Sequence, residues 1–488
     1  MNQKLIGVIP AAGKGIRMLP NTDRIQKALL QVDGISILER NVSIMHDQLG
    51  ISLIYVLVGY RKQQVMEQLG DGQRFGVEIK YVEVDNINQG LAYGILHLAP
   101  YLESVFCVIL GDEVYFDSNH REMLNLSAND FDVVCAVKEV QHPASIKKNY
   151  SVQLNNGFIT SLVEKPEIVQ NNYMGCGTYL FKPQIFDYIK KTPVSSRTGR
   201  VELTEVINLV AVGSGGRVYP FMLKGNYINV NNVGDYSAAK YMVRSAGFSK
   251  KSVSLIVPAY NEEASIGYLL DDFKGKVDEM LVVNNNSKDR TEEIARAKGA
   301  RVLSGKFKGY GEALKFGMDN ASGDILVLTE ADGSFVSRDL GKILEYLKDA
   351  DMVLGTRTTK QMIEQAANMN FLLRWGNICM AKIIELLWLY KNEPRLTDVG
   401  CTYRGIWKSD YKVIRNSLHC DGAAFSPEMI IEAMRHNKRI IEIPVTYSGR
   451  IGGESKFSKN IFANTQTAFR MFRLIVIKKL FDLLGRYE

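Results

Sequence analysis

Two places in this 488-residue sequence set carboxylates directly behind a short apolar run. Leu110-Gly111-Asp112 closes the run Val105–Leu110, and Thr329-Glu330-Ala331-Asp332-Gly333 closes Ile325–Leu328. Carboxylates at a strand end can hold Mg2+ or Mn2+ against phosphate oxygens, and the pair Glu330 and Asp332 has the spacing to do so against a diphosphate. A third cluster is cationic: Gly13-Lys14-Gly15-Ile16-Arg17, with Lys27 further along. Its glycines let backbone N–H groups face phosphate oxygens, and Arg17 and Lys27 add charge-assisted hydrogen bonds. The loop lacks the GK-Ser/Thr of a P-loop and the GxGxxG of a dinucleotide site, which counts against both readings. The six histidines show no ligand spacing and the six cysteines no CxxC, so they read as packed or solvated residues and free thiols.

Both carboxylate sites need the same scaffold. Leu5–Pro10 and Val253–Pro258 each read as the first buried strand of a parallel sheet, opening into a loop and a helix. Strand-like runs follow at Leu53–Val58, Ile79–Val84, Val105–Leu110 and Val133–Val137, then at Glu279–Val283, Arg301–Leu303 and Ile325–Thr329, alternating with amphipathic helical patterns. The expected fold is α/β, two doubly wound domains in tandem with ligands at the carboxyl ends of the strands. The boundaries expected are 1–245, 252–460 and a basic amphipathic helix over 461–488, with the seam in Arg244–Lys251.

Composition excludes disorder and fibrous repeats, with 46% hydrophobic and 23% charged residues. The N-terminus has no signal-peptide pattern and no stretch of 18 uninterrupted apolar residues occurs, so a cytoplasmic chain without a spanning helix is expected. The net charge of +7 does not call for nucleic acid, but eight Lys/Arg against three Asp/Glu put +5 of it in the last 39 residues. There Phe469, Phe472, Val476, Leu480 and Leu483 share one helical side, interrupted by Arg473, while Arg470, Lys478, Lys479 and Arg486 fall mostly elsewhere. With the apolar pattern of Phe371–Tyr390, this reads as helices lying on an anionic membrane face, the inner one for a cytoplasmic chain. The alternative is a core or a contact between copies, which leaves a homo-oligomer open.

Residues 5–32 resemble the signature of the sugar-1-phosphate nucleotidylyltransferases through Gly13, Gly15, Arg17, Met18, Pro20, Thr22 and Lys27, with Gln26 where that family usually has Pro. Gln89-Gly90-Leu91-Ala92, Leu110-Gly111-Asp112 and Glu164-Lys165-Pro166 follow in the family's order. The resemblance implies that a sugar phosphate oxygen attacks the α-phosphorus of a nucleoside triphosphate and pyrophosphate leaves. It gives Ala11, Gly13, Gly15 and Gly90 to the nucleotide, Arg17 and Lys27 to the pyrophosphate side, and Lys165 to the sugar phosphate. Asp112 would hold Mg2+, with Asn229 where the family's second ligand is usually Asp. Asp85 stands where many members have a base-reading Gln, and Glu164, Gly177 and Glu202 are the sugar-side candidates, Glu202 being nearly as well read as a capping residue.

The second half resembles family 2 glycosyltransferases. The marks are Pro258-Ala259-Tyr260-Asn261-Glu262, Asn284-Asn285-Asn286-Ser287-Lys288-Asp289, Lys308-Gly309-Tyr310-Gly311-Glu312-Ala313 and the Glu330/Asp332 pair in place of DxD. Gly355-Thr356-Arg357, Leu396–Arg404 and Arg450-Ile451-Gly452-Gly453-Glu454-Ser455-Lys456 look most like the dolichyl- or polyprenyl-phosphate sugar synthases. This implies a GT-A fold, a nucleotide site at Pro258, Tyr260, Glu262, Asn284 and Lys308, and Mg2+ or Mn2+ on Glu330 and Asp332. The acceptor phosphate would meet Arg357, Arg374, Ser455 and Lys456, and attack opposite the leaving group would invert the anomeric centre. The combined expectation is a bifunctional enzyme that makes a nucleotide sugar and transfers a sugar to polyprenyl phosphate. Alternatives are an alcohol phosphate such as phosphocholine in the first domain, a soluble saccharide acceptor in the second, or a binding-only fusion.

Overall fold

The computed structural model describes residues 5–19, 21–22, 25–213, 216–364, 371–389, 394–451 and 461–484. The chain divides into two units, Met1–Val243 and Arg244–Glu488.

Besides a short hairpin of Gln31–Val32 with Ile35–Ser36, the strands of the first unit are β1 Ile6–Pro10, β2 Leu53–Val58, β3 Glu78–Glu83, β4 Phe106–Ile109, β5 Glu113–Phe116, β6 Val133–Glu139, β7 Tyr150–Asn155, β8 Phe158–Glu164, β9 Tyr173–Phe181, β10 Val218–Met222 and β11 Asn226–Asn229. The main sheet runs β8-β7-β9-β4-β1-β2-β3, with β6 pairing β9 and β10. β1 is parallel to both neighbours and its Val8 and Ile9 are fully buried, as an apolar β-branched run at the centre of a sheet requires. The sheet is mixed, however: β9 enters antiparallel beside β4, which the alternating strand–helix reading did not anticipate. β5 and β11 form a separate antiparallel ribbon, joined beyond its end by Val230 N donating to Asp112 O. The chain can therefore return from β4 and present Asp112 at the carboxyl end of β1, next to the glycine loop. Gly111 allows this approach, since a Cβ there would stand 2.4 Å from Pro10 O. Helices α1 Leu91–Leu96 and α2 Leu203–Val212 cover the sheet.

In the second unit β12 Val253–Ala259, β13 Glu279–Asn284, β14 Arg301–Ser304, β15 Ile325–Leu328, β16 Met352–Thr356, β17 Arg404–Trp407 and β18 Ile440–Pro444 form one sheet of order β14-β13-β12-β15-β17-β16-β18. β12 lies parallel between β13 and β15, so the ends of all three, and the motifs after them, share one edge. β17 is antiparallel to both of its neighbours. Arg244, expected in a linker, is 2% exposed: its guanidinium meets Asp351 at 2.9 Å and Asp410 at 3.2 Å.

Helix α3 Tyr310–Asn320 packs on β12 and β13, and α4 Phe371–Leu387, α5 Phe425–Arg435 and α6 Ile461–Leu483 pack together. α6 has two distinct faces. Ile475, Lys478 and Asp482 face the body of the unit, one helical step apart. Ile475 is fully buried, Lys478 Nζ lies 2.8 Å from Glu432 and 3.1 Å from Glu428, and Asp482 accepts from Trp388 Nε1 at 2.7 Å and Arg435 Nε at 2.8 Å. Lys478 is thus the counter-ion of two fully buried glutamates and not, as the charge pattern suggested, part of a solvated basic face. The expected apolar stripe points outward, with Phe469 67%, Leu480 51% and Leu483 71% exposed beside exposed Arg470 and Arg473. No helix of the described residues is long and apolar enough to cross a membrane.

Candidate active sites

A cavity of about 610 Å3 opens at the carboxyl end of β1, lined by the loop Ala11–Arg17, Gln26, Lys27, Gly90, Asp112, Arg200, Glu202 and Asn231. Gln26 is 2% exposed and explains how the loop stands without the family's proline. Its Nε2 donates to Ala11 O at 2.7 Å, its Oε1 accepts from Ala28 N at 2.5 Å, and its own N–H reaches Gln64 Oε1 at 2.9 Å. The loop and the turn that carries Lys27 are tied together by one side chain. Lys27 Nζ then meets Asp112 Oδ2 at 2.6 Å, and Arg17 Nη2 donates to Asn231 Oδ1 at 3.0 Å.

Of the residues expected here, Ala11, Gly13, Gly15, Arg17, Lys27, Gly90, Asp112 and Glu202 are brought together around the cavity. Asn229 is not. It ends β11 in register with Glu113, its Oδ1 is buried without a hydrogen bond, and Asn231 takes the cavity position two residues on. Gly177 leaves room for a protein side chain: a Cβ there would lie 2.3 Å from Glu113 Oε1. Glu113 is 1% exposed, and burial, with Asp112 adding its charge, holds its carboxyl well above the usual range. Asp85 is turned to Tyr93 Oη and His97 Nε2, each at 3.1 Å, and does not line the cavity. Lys165 lies outside the lining as well, exposed at the end of β8. Its charge reaches Glu164, whose pKa is raised by burial, countered by Lys165 and raised further by Glu202, so the two sugar-side glutamates are electrostatic neighbours. Arg200 and Asn231 carried no sequence mark; Arg200 lays its stem over Gly90.

In the second unit Asn285 N donates to Ala259 O, so Pro258, Tyr260 and Glu262 sit across from Asn284. Asn284 is 4% exposed and shapes its own turn, accepting from Ser287 N at 3.1 Å and donating to Glu292 at 2.7 Å. Lys308 N donates to Glu312 Oε2 at 2.5 Å as the chain enters α3. Asp332 is 2% exposed; its Oδ1 accepts from Ser334 N and Oγ, while its Oδ2 faces Arg450 Nε at 3.0 Å. Glu330 accepts from Thr402 Oγ1 at 2.7 Å, and burial beside Asp332 pushes its pKa up. Arg357 approaches Glu330 from β16 with two of its nitrogens committed to Asp398, at 2.8 and 2.9 Å. Asp398 N and Thr397 N in turn donate to Glu442 on β18, which burial pushes up to about 7. Arg374 lies on α4, part-exposed, and Ser455 and Lys456 lie outside the described residues.

Residues 6–246 match the nucleotidyl transferase family model, and residues 254–403 match glycosyl transferase family 2. The chain is 30% identical over 234 residues to UTP–glucose-1-phosphate uridylyltransferase AglF of Haloferax volcanii, covering 48% of this chain and 94% of that protein. A dolichyl-phosphate hexose transferase of the same organism is 30% identical over 207 residues, 41% of this chain and 84% of that protein. The chain belongs to both families. The bifunctional protein GlmU of Methanococcus aeolicus is 33% identical over 202 residues, but the match spans only 45% of that protein. This nucleotidyl transferase–glycosyl transferase fusion is an enzyme of the transferase class whose two candidate sites stand on two separate sheets.

Both sites fit a divalent cation by the chemistry of their donors. Asp112 and Asn231 offer oxygens that now face Lys27 and Arg17. In the glycosyl transferase unit the buried Asp332 Oδ2 has no hydrogen bond among the described residues and faces the positive charge of Arg450. Arg450 was legible in the sequence as part of a motif, yet its contact with the acidic pair was not.

Proposed function

We propose that the first domain joins a nucleoside triphosphate to a sugar 1-phosphate with release of pyrophosphate, and that the second transfers a sugar from a nucleotide sugar to a polyprenyl phosphate. The observation that carries this reading is the recurrence of one arrangement in both units: a strand-end carboxylate set against basic side chains, Asp112 with Lys27 and Asp332 with Arg450. Such an arrangement suits reactions in which an anion displaces a diphosphate group, because the nucleophile is already ionised and catalysis rests on positioning and charge neutralisation.

In the first site Arg17 and the loop amides would hold the departing pyrophosphate. Glu164 and Glu202 would take sugar hydroxyls, and Lys165 would supply positive charge beside them for the sugar phosphate. In the second, Pro258, Tyr260, Glu262, Asn284 and Lys308 would receive the nucleotide, and Arg357, held square by Asp398, would face the acceptor phosphate with Arg374, Ser455 and Lys456. Mg2+ or Mn2+ on Asp112 and Asn231, and on Glu330 and Asp332, would neutralise phosphate charge when bound. Asp85, whose departure from the family's Gln is the motive for the phosphocholine-type alternative, is engaged by Tyr93 and His97 and does not line the cavity.

The lipid acceptor is supported by α6, which turns Phe469, Phe472, Val476, Leu480 and Leu483 outward with exposed Arg470 and Arg473 near the start of that stripe, and by exposed Trp375 and Leu386 on α4. An apolar face with flanking cations suits an anionic bilayer surface. The names of the relatives make UTP, glucose 1-phosphate and dolichyl phosphate the first combination to try. The test supplies the purified protein with a grid of triphosphates and sugar 1-phosphates, plus lipid phosphate, and no nucleotide sugar. Lipid-linked sugar is expected. Two halves that demand different sugars or bases would defeat the coupling of the two steps.

A further inference from the structure

The acidic pair of the glycosyl transferase unit is held closed by the chain itself. The segment after β18 returns across the loop Glu330–Ser334: Ser448 N donates to Ser334 O, and Ile451 N donates to Asp332 O at 3.1 Å. Ile451 also fills the space above Gly333, where a Cβ would meet its Cδ1 at 2.5 Å; Gly333 has φ +76°, so both its conformation and this contact demand glycine. Between these anchors Arg450 stands with Nε 3.0 Å from Asp332 Oδ2 and Nη2 3.8 Å from Glu330 Oε2, a quarter exposed. Asp332 Oδ2 makes no hydrogen bond in the described structure, so this guanidinium is the positive charge facing it. The buried Asp332 carboxylate beside Glu330 would be costly without a cation, and Arg450 offsets that cost in the free enzyme.

We propose that Arg450 is a resident counter-ion that occupies the place of the divalent cation until donor binds. Resting on the metal reading of the proposed function, this makes Arg450 a positioning residue with two stations: on Glu330 and Asp332 in the free enzyme, and on phosphate oxygens once a divalent cation arrives with the nucleotide diphosphate. Metal alone must displace the guanidinium with nothing to receive it. Metal with nucleotide supplies a new anionic partner for Arg450, so the two ligands bind together far better than either does singly.

The experiment measures Mn2+ affinity by electron paramagnetic resonance on the full chain carrying Asp112→Asn, which removes the carboxylate of the first site. Wild-type Arg450 in this background should bind Mn2+ weakly, and adding UDP or GDP should tighten it at least tenfold. Arg450→Gln should bind Mn2+ alone at least tenfold tighter than its parent and gain little from the nucleotide; Arg450→Lys should restore most of the weak binding. Equal Mn2+ affinity in Arg450→Gln and its parent would overturn the inference while leaving the metal site standing. If Asp332→Asn shows the same Mn2+ binding as its parent, the metal reading falls and this inference with it. A single cooperative thermal unfolding transition of Arg450→Gln in buffer with EDTA, at a Tm lowered by loss of the counter-ion, serves as the folding control, and a variant that shows no such transition is replaced by Arg450→Met.

Discussion

Lys27 and Asp112 lie 85 residues apart and meet at 2.6 Å, with both side chains largely shielded from water. The contact joins the turn after the glycine loop to the return from β4, and it places an ammonium where phosphate charge would gather. Asp112→Asn should therefore reduce pyrophosphate release about 100- to 1,000-fold. Sugar transfer from a supplied nucleotide sugar should be unchanged, and Asp332→Asn should show the reverse pattern. Parallel assays of the two half-reactions measure this, and loss of both in either variant would contradict two separate sites.

Asn231 and Asn229 offer a sharp contrast two residues apart. Asn231 faces Arg17 in the cavity, whereas Asn229 does not line it and has its Oδ1 buried. Asn231→Ala should lower kcat for pyrophosphate release by about tenfold or more, the scale of one lost charge-stabilising contact. Asn229→Ala should leave kcat within about twofold of wild type, because its amide oxygen touches no bound group (a 1.4 kcal/mol change is tenfold). Steady-state kinetics of the pair decides it.

Gln26 offers its amide hydrogens to two carbonyls, Ala11 O and Gly13 O. Gln26→Glu would aim a carboxylate at both. A KM for triphosphate raised tenfold or more is expected, with a loss of about 1–3 kcal/mol in stability from unpaired buried groups. Urea unfolding and initial rates read the two effects separately.

Glu442 is pushed up to about 7 from its ordinary 4.5 by burial, so the folded chain holds this proton more tightly than the unfolded chain does. Stability from this group is then complete below about 4.5 and is lost as pH rises toward 7, by roughly 3 kcal/mol at most. Glu442→Gln mimics the protonated carboxyl. Relative to it, wild type should lose stability between pH 5 and pH 8 in urea titrations; a constant difference would count against the raised pKa.

Lys478 separates core from surface on α6. Lys478→Met should cost about 3–5 kcal/mol, as loss of one partner from a buried ion cluster does. Arg473→Glu and Leu480→Asp, on the exposed side, should change stability by about 0.5 kcal/mol or less yet lower flotation with anionic vesicles. Unchanged flotation would remove the support for a membrane-facing surface.

Much of the site was legible because phosphate chemistry leaves local marks. The glycine loop, Asp112 and the Glu330/Asp332 pair each follow a buried strand within a few residues, and the folded chain puts them at strand ends. Contacts between distant segments left no such mark. Gln64 on Gln26, Glu442 behind Asp398 and Arg450 on Asp332 depend on which strands become neighbours, and the antiparallel entry of β9 and β17 shows that order could not be taken from alternation alone. Periodicity found the apolar stripe of α6, which faces outward, but put Lys478 on the solvated basic side. Glu428 and Glu432, on a different helix, draw Lys478 inward, and nothing in the local pattern of α6 shows them.

Glu428, which receives Lys478, also accepts the N–H groups of His419 and Cys420, and the next residue, Asp421, takes N–H of Gly311 at the start of α3. The terminal helix is thus a keystone rather than a detachable tether. A shortened chain ending before Ile461 would expose the glycosyl transferase fold to the loss of a strut reaching the turn that follows Lys308, and efforts to obtain a tidier catalytic fragment by trimming should keep it.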